Sequence, residues 1–188
     1  MNWKLFARKM KIITTSWDDG TISSLEMGNF LSEIGMAGTF YVPLNGILGR
    51  DLNDISYSGS YLNKGKLKEV FSKENLEIGG HGITHTYLTS LSLSEIKKEI
   101  NCSKSRLERL LGLEIYGFAF PGGKYNDKIM KILKESDFYY SRTTEDGVLH
   151  PKSRFKLPVS VFCSSTMRSR IKFSLLSPVS KVYAVGGR

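Results

Sequence analysis

The stretch Ser16-Trp17-Asp18-Asp19-Gly20 decides the fold that we expect for this chain. The apolar run Lys11-Ile12-Ile13-Thr14-Thr15 precedes it and is typical of a buried strand, and the polar segment from Thr21 opens a predicted helix. Two adjacent carboxylates at the mouth of a strand repel each other, unless a cation lies between them or one binds a metal while the other handles protons. The alternative is an ordinary turn, since Asp and Gly are common turn residues. This stretch alone favours the turn.

The composition is that of an ordinary globular protein, because 40% of the 188 residues are hydrophobic and 24% are charged. We expect one domain over residues 1–188, with 1–10 as an N-terminal extension. No apolar run approaches the length of a membrane span and no secretory signal is visible, so location is unknown, with the cytoplasm as the default. Cys102 and Cys163 lie far apart and are expected to be unpaired thiols.

The net charge of +9 is concentrated near the end of the sequence. Asp146 is the last acidic residue, and eight basic residues follow it: Lys152, Arg154, Lys156, Arg168, Arg170, Lys172, Lys181 and Arg188. Such a segment favours an anionic partner. No aromatic stacking pattern or groove-reading motif accompanies it, so we expect a solvated basic face and no specific nucleic-acid binding.

Predicted helices and strands alternate along the chain. Met27, Phe30, Leu31 and Ile34 have the spacing of one helix face that ends at Gly35. Ser92 and Glu95 match a capping box before a long helix that stops at Gly112, and Asn126 caps a later helix. Residues 44–60 are predicted to form a loop and 62–71 a helix, and the further strands are predicted at 38–43, 76–79, 115–120, 139–142 and 157–161.

This alternation predicts an α/β fold with a parallel sheet, open or closed. In such folds the ligand site lies at the carboxyl ends of the strands. The Asp18-Asp19 pair, the His81–His85 segment and the turn Pro121-Gly122-Gly123 each follow a predicted strand. We therefore expect all three to meet at one end of the sheet.

His81 and His85 are four residues apart, so on a helical turn both imidazoles would project from one face and bind one metal ion. Histidines at this spacing are more often hydrogen-bonded core residues than ligands. Asp19 favours the interpretation of the two histidines as metal ligands, because it adds a carboxylate to the set. Two His and one carboxylate leave coordination positions for water and substrate, as in catalytic zinc sites. Asp18 would then be a free carboxylate near that water.

Three motifs in this order resemble those of the polysaccharide deacetylases, the NodB-homology domain of carbohydrate esterase family four. Ser16-Trp17-Asp18-Asp19-Gly20 resembles the family's Thr-Phe-Asp-Asp-Gly signature. His81-Gly82-Ile83-Thr84-His85 is similar to its His-Ser/Thr-x-x-His element, with Gly in place of the hydroxyl residue. Residues 118–126, Phe-Ala-Phe-Pro-Gly-Gly-Lys-Tyr-Asn, are similar to its third motif.

The resemblance implies a distorted (β/α) barrel that removes N- or O-acetyl groups from a carbohydrate. Asp19, His81 and His85 would hold a divalent metal, zinc first, with cobalt, nickel or manganese as alternatives. Asp18 would be the general base on the metal-bound water, and the backbone N–H of Gly122 would stabilise the oxyanion. The sugar cleft would be shaped by a further set of residues, for which packing is the alternative role: Trp17, Pro121 and Tyr125.

The chain departs from the family pattern at two points. Ala119 stands where the family often has an Arg that orients the base. The family's C-terminal Leu-x-x-His element, which supplies the acid, has no match, since His150 lies in a different context. The alternative function is therefore a catalytically impaired carbohydrate- or anion-binding protein. A barrel lacking its last strands would expose a sheet edge, which predicts a homodimer or poor solubility.

Overall fold

The structure, a computed structural model, describes residues 14–49, 61–146, 151 and 153–159. Its centre is a sheet of six parallel strands whose spatial order equals their order in the chain. The strands are Thr15–Trp17 (β1), Gly38–Val42 (β2), Leu76–Gly80 (β3), Gly117–Ala119 (β4), Tyr140–Asp146 (β5) and Leu157–Val159 (β6). The sheet curls into half of a (β/α) barrel, and β1 and β6 do not pair with each other in the described part of the chain.

Helices connect the first five strands in the described part of the chain, and the crossover that a parallel pairing requires runs through them. They are Ile22–Glu33 (α1), Leu44–Ile47 (α2), Lys64–Phe71 (α3), Leu93–Lys97 (α4), Ser103–Leu111 (α5) and Asp127–Lys134 (α6). A π-helical turn, Lys98–Cys102, joins α4 to α5 without a break, and two 3₁₀ turns lie at Leu88–Ser90 and Pro121–Gly123. None of the helices in the described ranges is both long and apolar enough to cross a membrane.

The predicted helix ends are confirmed. Ser92 and Glu95 form the reciprocal capping box that starts α4. The side chain of Asn126 accepts a hydrogen bond from the Ile129 N–H at the start of α6. Gly112 ends α5 in the left-handed conformation, at φ 71°, which only glycine adopts without strain.

Successive residues of each strand point to opposite faces of the sheet. The outer face supplies Phe40, Ile78 and Phe118 to one hydrophobic cluster with residues of the helices, among them Leu31, Leu67, Leu107 and Leu133. Burial of these side chains is the main source of stability, at about 1.5–3 kcal/mol for each fully buried residue.

The concave face carries rings and polar groups. A Cβ on Gly79 would lie 2.3 Å from the Tyr41 ring, and one on Gly117 would lie 2.4 Å from the Tyr140 ring, so glycines make room for both tyrosines. Glu77 accepts hydrogen bonds from Thr39 Oγ1 at 2.9 Å and from the Tyr140 hydroxyl at 2.6 Å. This network lies on the same face of the sheet as Ala119 and Arg142, which are nearer the carboxyl ends of the strands.

Four sequence predictions need correction. The first strand is Thr15–Trp17 and ends two residues later than the predicted strand at 11–15, of which residues 11–13 lie outside the described part. The inner face predicted for α1 is wrong in part, because Phe30 and Ile34 are half exposed. The helix buries Leu31 together with the small residues Ser24 and Gly28, which allow a close approach.

The other two corrections concern loops. The predicted loop at 44–60 contains the short helix α2, and 50–60 lie outside the described residues. The segment from His81 to His85 is an irregular loop and not the helical turn that we expected from the spacing of the histidines.

Candidate metal centre and active site

The loops after β1 and β3 carry two unusual backbone conformations. Within the described ranges, Asp19 (φ 72°) and His85 (φ 60°) are the non-glycine residues with positive φ. This conformation is uncommon outside glycine, and such strain concentrates at functional sites. Gly20 (φ 63°) and Gly82 (φ 77°) adopt the same conformation beside them, so both loops are bent sharply at the strand ends.

Three side chains converge where these loops meet. Asp19 Oδ1 lies 3.5 Å from His81 Nε2 and 3.1 Å from His85 Nε2. The two Nε2 atoms are 3.2 Å apart. All three residues are buried, at 7%, 1% and 8% exposure respectively.

The orientation of His81 is fixed from the neighbouring strand. Its Nδ1 lies 2.8 Å from the carbonyl oxygen of Ala119, on β4. A carbonyl can only accept, so Nδ1 carries a proton and Nε2 is the ring nitrogen that faces Asp19 and His85. In the neutral imidazole, the form that binds a metal, Nε2 has a free lone pair. Histidines that bind metals are commonly held by such a hydrogen bond through the other ring nitrogen.

The charges of this cluster shift its pKa values in opposite directions. Burial raises the pKa of Asp19, but hydrogen bonds and positive charge from His81 and His85 outweigh it and bring the pKa well below its ordinary value. Burial lowers the pKa of His81, while the hydrogen bond to Asp19 and the charges of Asp18 and Asp19 raise it, with a net rise above the ordinary value. The metal-free cluster therefore favours an Asp19 carboxylate beside a protonated His81.

The donor set fits a divalent metal. Zinc binds His nitrogen and carboxylate oxygen at about 2.0–2.1 Å, so neighbouring ligand atoms in a tetrahedron are about 3.3–3.4 Å apart. The three separations here, 3.1, 3.2 and 3.5 Å, lie close to that spacing. Three protein ligands leave a fourth position for water or substrate, which is the pattern of catalytic zinc sites.

Asp18 is held by Arg142, which sequence reasoning missed. The Arg142 Nη2 group donates a hydrogen bond to Asp18 Oδ1. Arg142 comes from β5, is only 8% exposed, and its guanidinium lies 5.2 Å from the centre of the Tyr41 ring. Burial lowers the pKa of Arg142, but the negative charge of Asp18 and the other neighbours raises it by more. The net pKa is above the ordinary value, so the guanidinium stays charged.

Glu99 holds the loop of the two histidines, and it too was missed. Its Oε2 accepts hydrogen bonds from the N–H groups of Ile83 and Thr84, at 2.6 and 3.2 Å, and its Oε1 accepts one from the Thr84 hydroxyl at 2.9 Å. A Cβ on Gly82 would lie 2.9 Å from Glu99 Oε2. The glycine that departs from the family motif is therefore required by this carboxylate and by the positive φ at Gly82.

The turn after β4 presents a backbone N–H. The hydrogen bonds of this turn use the N–H groups of Gly123 and Lys124, which leaves the Gly122 N–H outside them. Gly122 is exposed at φ 60°, and a Cβ there would lie 2.3 Å from the Tyr87 ring. Tyr87, 45% exposed, therefore covers the turn and is a further surface residue beside the predicted oxyanion group.

The residues predicted to shape a sugar cleft lie in different surroundings. The Trp17 ring stacks on Phe40 at 6.3 Å, on the outer face, and Pro121 is buried in the turn. Tyr125 is half buried against Phe120, and its hydroxyl donates to Glu145. Burial and this hydrogen bond raise the pKa of Tyr125 to about 12. The roles of these three residues in binding stay predictions.

The roles of Arg142 and Glu99 were hard to predict because the residues next to them in the sequence say little about their partners in the fold. A charged residue inside a predicted strand and an acidic residue between Ile96 and Ile100 were the available clues. Both side chains act across large distances in the sequence, from β5 to Asp18 and from the π-helical turn to Thr84. Such pairings depend on strand register and on the π turn, which places Glu99 inward and is often found at functional sites.

Comparison with known proteins relates the chain to one enzyme family. A family model described as "Polysaccharide deacetylase" matches residues 7–141. YxkH of Bacillus subtilis strain 168, whose name assigns it to the polysaccharide deacetylases, is 22% identical over 138 residues. The aligned region is 73% of this chain and 46% of YxkH, so the chain spans about half the length of that relative.

Solved structures share the fold. The Streptococcus pyogenes deacetylase PplD, in complex with acetate, matches with a TM-score of 0.75 at 19% identity, over 89% of this chain and 71% of PplD. BA3943 of Bacillus anthracis, described as a pseudoenzyme of carbohydrate esterase family four, matches with a TM-score of 0.60 at 16% identity, over 94% of this chain and 63% of that protein. A BA3943 mutant is described as having restored enzymatic activity.

Proposed function

Because this chain belongs to the polysaccharide deacetylase family, we propose that it is a metal-dependent hydrolase that removes acetyl groups from a carbohydrate polymer or oligomer. The single observation that carries this proposal is the buried triangle of Asp19, His81 and His85, whose three ligand atoms have the spacing of a metal site.

Asp19, His81 and His85 would hold the ion, with zinc as the first expectation and cobalt, nickel or manganese as alternatives. The ion would supply Lewis acidity, which makes a water acidic and polarises the acetyl carbonyl. The strained loops at Asp19 and His85, the Glu99 hydrogen bonds and the Ala119 carbonyl keep the ligand atoms converged before the ion binds. Such preorganisation favours metal binding, because folding has already ordered the ligand side chains and no further conformational entropy is lost when the ion binds.

Asp18 would accept a proton from the attacking water. Arg142 holds Asp18 Oδ1, which leaves Oδ2 to take the proton. The Gly122 N–H would donate to the acetyl oxygen as negative charge develops there. The reaction forms a new C–O bond, breaks the acyl bond to nitrogen or oxygen, and releases acetate with a free amine or hydroxyl.

The substrate would be an acetylated sugar whose ring contacts the exposed surface beside the turn. Tyr87 covers Gly122 there, and Tyr125, which follows the same turn in the chain, stacks on Phe120. Aromatic side chains offer apolar faces to sugar rings, and their hydroxyls supply hydrogen bonds. These contacts would orient the acetyl group towards the Gly122 N–H.

Acetate release tests this function. The purified full chain is incubated with N-acetylglucosamine oligomers and with a small acetyl ester, each with added zinc or cobalt and after treatment with a chelator. Asp18→Asn and His85→Ala are the test variants, and Glu135→Gln, an exposed carboxylate on the surface, is the control. We expect metal-dependent release from the wild-type and control proteins and loss in both test variants.

Two results would contradict the proposal. Release that persists in His85→Ala, or that is unaffected by the chelator, would show that the triangle does not hold the reacting metal. Zinc binding to the wild-type protein without any release would instead favour the alternative, a carbohydrate- or anion-binding protein on this scaffold.

A further inference from the structure

We propose that Arg142 is the positioning residue for Asp18, and that it acts from β5 in place of a side chain at position 119 on β4. The inference rests on the proposed function, since it assigns the group that orients the base of that reaction. It begins from the contact of Arg142 Nη2 with Asp18 Oδ1, which joins residues 124 apart in the sequence.

Strand register explains how the exchange is possible. Ala119 and Arg142 are direct partners in the parallel pairing of β4 and β5. Register partners project to the same face of a sheet, so both side chains point to the concave side, towards Asp18. Ala119 is fully buried and ends at its methyl group, which leaves the space next to it for the guanidinium.

Arg142 is built into the sheet and is not a surface side chain that happens to lie near an acid. It is 8% exposed, and its guanidinium lies 5.2 Å from the Tyr41 ring centre, in the range of a cation–π contact. A buried guanidinium is costly unless it is paired, and Asp18 is its ion-pair partner among the described residues. Because Arg142 is buried and packed against Tyr41, its guanidinium has a fixed position, and that position fixes the Asp18 carboxylate.

The contact leaves the rest of the carboxylate usable. Only Nη2 of Arg142 bonds to Asp18, and its Nε is buried with no hydrogen-bond partner in the described part of the chain. The guanidinium therefore holds Oδ1 end-on and does not engage both oxygens as a bidentate pair does. Oδ2 keeps its lone pairs for a proton, while Oδ1 fixes the direction in which that oxygen points.

The test compares Arg142→Ala, Arg142→Lys and a relocated arginine, Ala119→Arg with Arg142→Ala. Misplacement of a reacting group by about 1 Å can cost about 100-fold in rate. We expect Arg142→Ala to lower kcat by about that factor, with KM and zinc affinity within about threefold of wild type. Arg142→Lys should keep part of the rate, and the relocated arginine should regain at least about tenfold over Arg142→Ala.

Two further measurements separate positioning from stability. Added guanidinium ion should raise kcat of Arg142→Ala and leave the wild-type protein unchanged. In an Asp18→Asn background the loss of Arg142 should have no further effect on the rate, because Arg142 acts through Asp18. Arg154→Ala is the control, since Arg154 also lies over aromatic rings, at 4.3 Å from Tyr139 and 5.0 Å from Phe155, but is exposed and bonds to neither Asp18 nor Asp19.

Each outcome decides the inference. A wild-type kcat in Arg142→Ala, or a loss that is additive with Asp18→Asn, would overturn it while the proposed function stands. If Arg142→Ala does not fold, judged by zinc binding and thermal unfolding, the lysine variant and the relocated arginine are compared with the wild-type protein, and a wild-type kcat in the lysine variant would then overturn the inference. A wild-type protein that releases no acetate would overturn the proposed function, and the inference would fall with it.

Discussion

Ala119 and Arg142 are register partners on adjacent strands, and together they fix two different groups of the site. The Ala119 carbonyl accepts the Nδ1 proton of His81, which turns Nε2 towards Asp19. The Arg142 guanidinium holds Asp18 from the next strand. One pair of residues thus orients a predicted metal ligand and the predicted base, and a shift of this register by one residue would disturb both.

Gly122→Ala tests the turn beside the oxyanion position. Alanine at φ 60° is strained by about 1–2 kcal/mol, and its Cβ would lie 2.3 Å from the Tyr87 ring. We expect kcat/KM for acetate release to fall by at least about tenfold, because the turn and Tyr87 must move, while zinc affinity is unchanged.

Gly112→Ala is a matched control for this variant. Gly112 has a similar φ of 71°, but a Cβ there meets nothing within 4 Å. Gly112→Ala should lose the stability that the strained φ alone costs, Gly122→Ala at least as much, and only Gly122→Ala should lose activity. Equal activity in the two would remove Gly122 from the site.

Glu99→Gln tests the support of the histidine loop. An amide oxygen could still accept from the N–H groups of Ile83 and Thr84, but the negative charge that strengthens both hydrogen bonds is lost, and the amide NH2 then faces the Thr84 hydroxyl, which must accept instead of donate. We expect zinc affinity to fall by about 10–100-fold and the free energy of unfolding by about 1–3 kcal/mol. Isothermal titration and denaturant unfolding measure the two effects. Glu135→Gln, on the exposed surface, should change neither, and unchanged zinc affinity in Glu99→Gln would show that the loop needs no such support.

The metal-free protein should lose stability as the pH rises above 6.5. The folded pKa of His81 is raised above 6.5, so its contribution is fully present below that pH and is lost as the pH rises through the folded value. The folded pKa of Asp19 is lowered below 3.8, so its contribution is present above that pH and is lost on acidification. Between these limits the cluster is most stabilising.

Zinc should reverse the trend on the alkaline side. The ion competes with the His81 proton, so the rise in unfolding temperature caused by zinc should grow from pH 6 to pH 8. Thermal unfolding with and without zinc measures both trends. A zinc effect that is independent of pH, or that persists in His81→Ala, would contradict the assignment of His81 as a ligand.

The leaving group should decide the rate. The family's C-terminal histidine element, the expected acid, has no match in these 188 residues, and His150 lies outside the described part. A leaving group of low pKa departs without a proton, whereas an amine does not. We expect turnover of 4-nitrophenyl acetate to exceed that of N-acetylglucosamine oligomers by at least about 100-fold. Comparable rates would show that another group supplies the acid.

Much of the fold was predictable because its signals are local. The capping box at Ser92, the glycine that ends α5 and the strand Gly38–Val42 depend on residues near each other in the sequence. The meeting of Asp19, His81 and His85 followed from the rule that parallel strands end at one edge.

The misses have a different cause. The exposed positions of Phe30 and Ile34 depend on which face of α1 lies nearest to the sheet, and small residues decided that face. The histidine spacing suggested a helical turn, but Gly82 and His85 bend the loop instead. Arg142 needed the register of β4 and β5, which no local pattern contains. Self-association through a free edge, and the limits of the domain, stay predictions.

The identical order of the strands in space and in the chain has a consequence for how the protein reaches its native state. Each strand pairs with the one made immediately before it, so the sheet can grow by addition while the chain leaves the ribosome. Asp19 and His85 are then in place before β5 is synthesised, and Arg142 joins them late. The metal ligands would assemble on a nascent chain, and the base would be oriented only when synthesis of the sheet is almost complete.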